Sequence, residues 1–324
     1  MARRRWRAIR SLPEFSVEAP NAINLLWRRR SAAGFKYETV RRLPQQNRRL
    51  SFRDDKQIKV TSFRTKDFWD RLIRRSATLA SEQPATRELL LFYGKLLGAQ
   101  KEIYDQFGRK ADWLPSGDFG QDVEAVSSFL PLLLRVVREH GPELLSQQAQ
   151  EISNWNPEEI RAMLTEYWDH PTGTEFFAKA LLQPYGRWMV ETGARPAGKS
   201  LGSVENRCPF CDGKPQLSFM FSNEQEGGGR SLLCAACLSE WTFRRVVCAG
   251  CLEEHPSKLG YFSSPDIKHM RVEVCETCRT YTKGVDLTVL GRAVPLVDEV
   301  AGAALDLWAR ERGYEKIELN LVGV

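Results

Sequence analysis

The sequence predicts an α+β fold in which a helical amino-terminal domain precedes two tandem four-cysteine modules and a carboxy-terminal helix. Three observations lead to this prediction. Apolar residues recur at helical spacing over much of residues 61–192. All eight cysteines of the 324-residue chain then fall in four Cys-x-x-Cys pairs within 71 residues. A further apolar helical pattern follows those pairs and runs from Val294 to Arg312.

Helices are predicted wherever apolar residues follow the 3.6-residue period. The first helix carries Phe68, Trp69, Leu72, Ile73 and Leu79 on one face. Further helices are predicted from Thr86 to about Phe107, from Asp122 to His140, and over 142–152, 157–168, 175–192 and 294–312. The alternation over 317–321 indicates a short strand or an extended tail. The aromatic residues on the helical faces are interpreted as core packing.

Charge is distributed unevenly along the chain. Residues 1–50 carry 13 Lys and Arg against 3 Asp and Glu, so the other 274 residues sum to −4 although the whole chain is +6. We expect residues 1–60 to be a basic, disordered tail that could contact nucleic acid or an acidic partner. The expected segments after it are a helical domain over 61–192, a linker over 193–207, metal modules over 208–247 and 248–290, and a helix with its tail over 291–324.

The cysteine pairs have the spacing of metal-binding knuckles. They are Cys208 and Cys211, Cys234 and Cys237, Cys248 and Cys251, and Cys275 and Cys278. Two residues between paired cysteines allow a tight turn that directs both sulfurs to one point, and two such turns supply the four thiolates of a zinc-ribbon site. We therefore predict two metal ions, one per four-cysteine module. Four soft thiolates suit iron and zinc alike, so the pattern leaves the metal open.

The two modules resemble copies of one another. Cys208 and Cys248 are 40 residues apart, and Cys234 and Cys275 are 41 apart. This repeat favours pairing the first knuckle with the second and the third with the fourth, while an interleaved arrangement stays possible from sequence alone. The run Gly227–Gly229 is predicted to form the tip of the first hairpin.

Other functional classes find less support. With all cysteines assigned to metal, no nucleophile pair can be built from them, and no phosphate-binding loop occurs, so we predict no catalytic residues and no organic cofactor. His255 and His269 lie in the second module but are not needed as ligands. The absence of a leftover cysteine and of a long apolar run leads us to expect a cytoplasmic protein without a membrane span.

From Cys208 onward the residues resemble the formate dehydrogenase accessory protein (FdhE) family. The resemblance is carried by four stretches, of which the Glu240-Trp241 pair and the Tyr281-x-Lys283 ending are the most specific. The stretches are 208–211, 233–241, 245–251 and 273–283, with Arg312-Gly313-Tyr314 closing the last helix. The family often has Gly directly after the first knuckle, where this chain has Asp212.

The resemblance implies a helical amino-terminal region followed by two rubredoxin-like modules that hold iron or zinc. It also implies an accessory or maturation factor rather than an enzyme, acting in the cytoplasm on the catalytic subunit of formate dehydrogenase. We therefore expect that subunit as the protein partner.

Two alternatives stay open. The first is a nucleic-acid-binding zinc-ribbon protein that uses the basic tail. Residues 208–283 argue against this reading, because they carry nine Lys and Arg against nine Asp and Glu, and eight thiolates around two divalent ions would add a charge of −4. The second is a redox protein with two rubredoxin-type iron centres.

Overall fold

The fold is described from a computed structural model for residues 38–41, 67–109, 113–171, 175–199, 204–223 and 227–324. The expected tail over 1–60 lies outside the described residues except for one strand, Glu38–Arg41 (β1). The chain divides into two compact units. The helical unit comprises Trp69–Gly198 and Leu319–Val324, and the sheet unit comprises Lys199–Glu318 with β1. Within the described ranges, no helix has the length and apolar character needed to cross a bilayer.

The helical unit is built from seven α-helices within its described residues. They are α1 (Phe68–Glu82), α2 (Arg87–Arg109), α3 (Phe119–Ser127), α4 (Leu130–His140), α5 (Glu143–Ile152), α6 (Pro157–Asp169) and α7 (Phe176–Thr192). The apolar faces predicted for α1 and α2 are confirmed, since Leu72, Leu90 and Leu96 are almost fully buried. α6 begins at a capping box, in which the Asn156 side chain accepts from the amides of Glu158 and Glu159.

The single helix predicted over Asp122–His140 is wrong, because the chain forms α3 and α4 with a break at Ser128 and Phe129. Pro131, near the start of α4, explains the break. Proline has no amide hydrogen, and its ring collides with the carbonyl four residues earlier, so a helix cannot pass through it unbroken.

The sheet unit contains one mixed sheet of eight strands, with β1 at one edge and β4 at the other. Its remaining strands are β2 (Pro215–Asn223), β3 (Gly227–Cys234), β4 (Glu240–Phe243), β5 (Leu259–Ser263), β6 (Met270–Cys275), β7 (Thr280–Asp286) and β8 (Glu315–Lys316). The strand order is β1-β5-β6-β7-β2-β3-β4, with β8 pairing beside β7. The parallel pairing of β2 with β7, in which Leu217 lies opposite Lys283, joins the two modules into one sheet.

The glycine run does not form a hairpin tip, contrary to the prediction, because Gly227–Gly229 begin β3. Gly229 pairs with Phe221 of β2, whose aromatic ring covers it. A Cβ atom at position 229 would stand 2.5 Å from the Phe221 ring, so any larger residue there would displace that ring.

The last helix is also divided, although one helix was predicted over 294–312. The chain forms α8 (Pro295–Ala301) and α9 (Ala303–Glu311), which meet at Gly302. Met270 of β6 packs so closely on Gly302 that a Cβ atom there would lie 2.6 Å from the Met270 Cε atom. Of the two alternatives predicted for 317–321, the short strand does not form there, since β8 ends at Lys316.

Candidate metal centres

The eight cysteines come together as two separate groups of four. The first group holds Cys208, Cys211, Cys234 and Cys237, and the second holds Cys248, Cys251, Cys275 and Cys278. In each group all four sulfurs lie within 4.8 Å of one another. The predicted pairing of consecutive knuckles is therefore confirmed, and the interleaved alternative is excluded.

The distances between the sulfurs fit a tetrahedral metal ion. Across the first group they are 3.6 Å for Cys208 and Cys237 and 3.5 Å for Cys211 and Cys234. Both measured pairs of the second group are 3.7 Å apart. Zinc–sulfur bonds of about 2.3 Å at tetrahedral angles place the sulfurs about 3.8 Å apart. A disulfide would need about 2.05 Å, and all eight cysteines are free.

Hydrogen bonds within each knuckle hold its turn. In the first knuckle the Cys208 amide donates to the Gly213 carbonyl at 2.9 Å, and the Asp212 amide donates to the Cys208 carbonyl at 2.8 Å. The third knuckle repeats both bonds, from Cys248 to Glu253 and from Leu252 to Cys248. These closed turns fix the directions of the cysteine side chains before any ion binds.

A left-handed residue directly follows the second cysteine of every knuckle. These residues are Asp212, Leu238, Leu252 and Arg279, with φ values of 62°, 58°, 65° and 57°. They are the only non-glycine residues with positive φ in the described part of the chain. The left-handed turn reverses the chain immediately after the cysteine and costs about 1–2 kcal/mol for a residue with a side chain. Glycine would adopt the same conformation at position 212 without this cost.

Glycine is also required where backbone passes close to a sulfur. A Cβ atom on Gly213 would lie 2.8 Å from the Cys234 sulfur and 3.2 Å from that of Cys211. In the second centre the Gly250 amide donates to the Cys248 sulfur at 3.2 Å. The absence of a side chain thus lets the turns close tightly around the four sulfurs.

A hydroxyl group contacts one sulfur in each centre. Ser239 lies 3.1 Å from the Cys237 sulfur, and Thr280 lies 3.0 Å from the Cys278 sulfur. Each hydroxyl belongs to the residue two positions after the last cysteine of its centre, so the two modules have the same hydroxyl–sulfur contact at equivalent positions. Sequence reasoning missed these residues, although their common spacing from the cysteines was visible.

The protein environment raises the pKa of some of the thiols in each sulfur group. Burial raises the pKa of the Cys208 thiol well above its ordinary value. Partial desolvation by neighbouring groups also raises the pKa of Cys251, which keeps an exposed surface, to about 11. Burial alone would raise the pKa of Cys237 too, but its hydrogen bonds with neighbouring thiols and with Ser239 lower it. Because metal ions bind thiolates, loading either centre must displace protons.

The two centres differ in their access to solvent. In the first, three of the four cysteines are buried and Cys211 is half-buried. In the second, Cys251 is exposed and Cys278 is half-buried, while Cys248 and Cys275 pack against Leu259. The four-cysteine set of each centre leaves no ligand position for substrate, but the second centre is the more accessible from outside.

The two histidines of the second module lie outside the sulfur groups. His255 Nδ1 accepts from the Ser257 amide, and His269 Nε2 lies 2.9 Å from Asp298 Oδ1. Of the aromatic residues near the knuckles, Trp241, Phe243 and Tyr281 are buried. These three are part of the core and cannot serve as exposed anchors for a partner.

The conspicuous Tyr281-x-Lys283 sequence belongs to a buried charge network. Lys283 contacts Glu299 and Asp306, and Lys316 contacts the same two carboxylates. The Tyr281 hydroxyl donates to Asp306 at 2.8 Å. The network ties α8 and α9 to β7 and β8, so this motif supports the sheet that carries the second centre.

Comparison with known proteins places these features in one family. The model of the "FdhE, central domain" matches residues 207–245, and that of the "FdhE, C-terminal domain" matches residues 246–322. The boundary between them falls between the two sulfur groups. Together the two matches cover every knuckle and the buried charge network.

Curated relatives support the same relationship. A protein of Aquifex aeolicus named "Protein FdhE homolog" is 29% identical over 205 residues, which cover 62% of this chain and 71% of the relative. A homologue of the same name from Pseudomonas putida is 32% identical over 154 residues, covering 45% of this chain and 47% of the relative. The second alignment thus spans only about half of each protein.

A solved structure shares the fold. The crystal structure of the FdhE protein from Pseudomonas aeruginosa superposes with a TM-score of 0.58, covering 80% of this chain and 96% of that one. At 22% sequence identity this match shows the fold alone. The predicted fold class, with its helical region, two four-cysteine modules and final helical segment, is confirmed.

Proposed function

Because this chain belongs to the FdhE family, we propose that it is an accessory factor needed to produce active formate dehydrogenase. The observation that carries the proposal is the pair of four-sulfur groups within the two matched family domains. They supply rigid metal-bound modules rather than an open reaction centre.

Each module would bind one ion, iron or zinc. The first ion would be held by Cys208, Cys211, Cys234 and Cys237, and the second by Cys248, Cys251, Cys275 and Cys278. The sulfur spacing and the left-handed turns support this assignment, since both direct four thiolates to one point. In modules 208–247 and 248–290 the bound ion would replace part of the hydrophobic core that such small segments lack.

The four cysteines of each centre leave no open coordination position on the metal, and this supports a non-catalytic role. Catalytic zinc sites keep one position for water or substrate, whereas four cysteines occupy all four. A metal held in this way stabilises a surface, and a rigid surface loses little entropy on binding a partner. We propose that the helical domain and the two metal modules bind the catalytic subunit of formate dehydrogenase in the cytoplasm.

The proposal is tested in a host strain from which this gene has been deleted. Formate-dependent dye reduction should fall strongly and return with the wild-type gene. A Cys208→Ser/Cys211→Ser variant should not restore activity, whereas Ser222→Ala, an exposed change in the same module, should restore it. Tagged wild-type protein should also retain the purified catalytic subunit on a column. Unchanged activity in the deletion strain, together with no retained subunit, would refute the proposal.

A redox role is the second candidate, and the sulfur spacing favours it equally because ferric and zinc ions fit similar four-thiolate sites. The visible spectrum of protein purified without oxygen, recorded again after oxidation, separates the two. Ferric thiolate centres absorb visible light and zinc centres do not. The nucleic-acid alternative depends on the basic tail, which lies outside the described residues except for β1.

A further inference from the structure

A concave cavity opens in the sheet unit beside the second metal centre. Strands β3, β5, β6 and β7 form its floor, and the connection from β4 to the third knuckle forms one wall. Cys248 and Cys275 stand at its side nearest the metal centre. The arginines, glutamate and threonines of its lining are Arg230, Arg245, Arg271, Glu273, Thr280 and Thr282, and we call it the arginine pocket.

The size of the arginine pocket limits what it can hold. Its volume is about 30 Å³, so it suits a group of a few heavy atoms rather than a nucleotide or a peptide segment.

Two of the three arginines share a single carboxylate. Arg230 forms an ion pair with Glu273 Oε2, and Arg271 contacts Glu273 Oε1 through Nη2 at 2.7 Å. Arg230 is only 3% exposed, and its Nη1 also donates to the carbonyls of Arg244 and Val247. These contacts hold both guanidinium groups in place, so the pocket is formed before any ligand arrives.

Hydrogen-bond donors are left over in this arrangement. Arg230 Nε is buried and has no partner, which is costly unless a ligand or water accepts from it. Arg245 is exposed at the mouth and makes neither a hydrogen bond nor an ion pair with any described residue. Three arginines line the pocket against one glutamate, and the Cys248 and Cys275 thiolates of a metal-bound centre would add two negative charges to the same lining.

These arginines could instead only offset the negative charge of the second centre, which would be −2 for a divalent ion with four thiolates. If the arginines offset the thiolate charge directly, at least one guanidinium group would lie within hydrogen-bond distance of a cysteine sulfur. In the described chain, the sulfurs contact other thiols, backbone amides and hydroxyl groups, and no arginine of the pocket donates to them. The guanidinium-bearing residues Arg230, Arg245 and Arg271 line the cavity instead.

We propose that the arginine pocket binds a small free oxyanion, of the phosphate or sulfate kind, next to the second metal centre. Arg271 and the buried Arg230 would supply fixed donors, and Arg245 would close over the ion from the mouth. Guanidinium groups suit this task because their planar donors match two oxygens at once. The proposal does not depend on the identity of the partner enzyme.

Inorganic phosphate is the probe for the test, titrated into full-length zinc-loaded protein at constant ionic strength and followed by calorimetry. We expect saturable binding of one phosphate per chain. Arg245→Ala should weaken it about tenfold, the effect of one charge-assisted hydrogen bond, and Arg245→Lys should weaken it less. Arg292→Ala, which removes an exposed arginine outside the pocket, should leave the affinity unchanged.

Each other outcome overturns the proposal. Absence of saturable binding, or equal affinity in wild type and Arg245→Ala, would show that the pocket is not an anion site. Equal losses in Arg245→Ala and Arg292→Ala would indicate nonspecific attraction to positive charge. If phosphate does not bind but Arg245→Ala changes the metal affinity of the second centre, the arginines serve only to offset the thiolate charge.

Discussion

The ammonium group of Lys283 pairs with the carboxylate of Asp306 inside the sheet unit, and neither side chain is more than 1% exposed. Lys316 and Glu299 complete the network, so two positive and two negative charges balance. Burial alone would raise the pKa of Asp306, but Lys283 and Lys316 hold it below its ordinary value. A charged Asp306 is therefore stable in the interior only while both lysines are present.

Removal of Lys283 should destabilise the fold strongly. In Lys283→Met, two buried carboxylates would face one lysine, and breaking a buried pair in this way costs about 3–5 kcal/mol. Urea unfolding of zinc-loaded protein measures the change in the free energy of unfolding. Lys268→Met, at an exposed position, should change it by less than about 0.5 kcal/mol. A loss below about 1 kcal/mol in Lys283→Met would show that the network is not a buried ion cluster.

The left-handed turn at Asp212 predicts opposite effects for two substitutions. Asp212→Gly should raise the free energy of unfolding of the first module by up to about 1 kcal/mol, because glycine adopts positive φ without steric cost. Asp212→Val should lower it by about 1 kcal/mol or more, since a branched side chain fits this backbone poorly. Thermal unfolding of both variants checks the order, and a valine variant as stable as the glycine variant would contradict it.

The hydroxyl group of Thr280 should strengthen metal binding at the second centre. Burial would raise the pKa of Cys278, but hydrogen bonds from Thr280 lower it and so favour the thiolate. Thr280→Val should weaken zinc binding there by about tenfold, the lower end of the usual effect of groups that support a ligand. Competition with a chelator measures the affinity. Thr288→Val, at an exposed turn away from both centres, should leave it unchanged.

The grouping of the eight cysteines into two sets of four was predictable from sequence because its signal is local. Two residues between cysteines define a knuckle, and a repeat of 40 residues defines which knuckles pair, so Cys208 and Cys248 could be assigned to separate centres. The left-handed backbone conformation of the residue after each second cysteine was less evident from the local sequence. Only the structure shows that Leu238 and Leu252, which do not favour positive φ, adopt it there.

Features that depend on distant contacts could not be predicted. The break between α8 and α9 coincides with the packing of Met270 on Gly302, which are far apart in the chain. The arginine pocket likewise joins Arg230 of the first module to Arg271 of the second through Glu273. The break at Pro131 is different, since the proline was visible in the sequence and its effect on a helix follows from covalent geometry.

Zinc affinity of the first centre should rise steeply with pH. The pKa of Cys208 is raised by burial; at Cys211 the hydrogen bond from Cys208 lowers the pKa, but contacts with Cys234 and Cys237 and burial raise it overall. Both thiols are therefore protonated near neutral pH in the metal-free protein, and zinc must displace both protons. Releasing two protons raises the affinity by about 100-fold per pH unit below their pKa values. Chelator competition at pH 6.5 and 7.5 measures the slope, and a change below about tenfold would contradict the assignment.

Chelator should remove the two ions at different rates, because only the second centre has an exposed ligand, Cys251. A chelator reaches a metal through an exposed sulfur more readily than through a closed shell, so zinc release should show a fast and a slow phase of equal amplitude. Cys248→Ser should abolish the fast phase, and Cys208→Ser should abolish the slow phase. These two changes form a matched pair, since each removes the first cysteine of its module. A single phase in the wild-type protein, or loss of the fast phase in Cys208→Ser, would show that solvent access does not govern release.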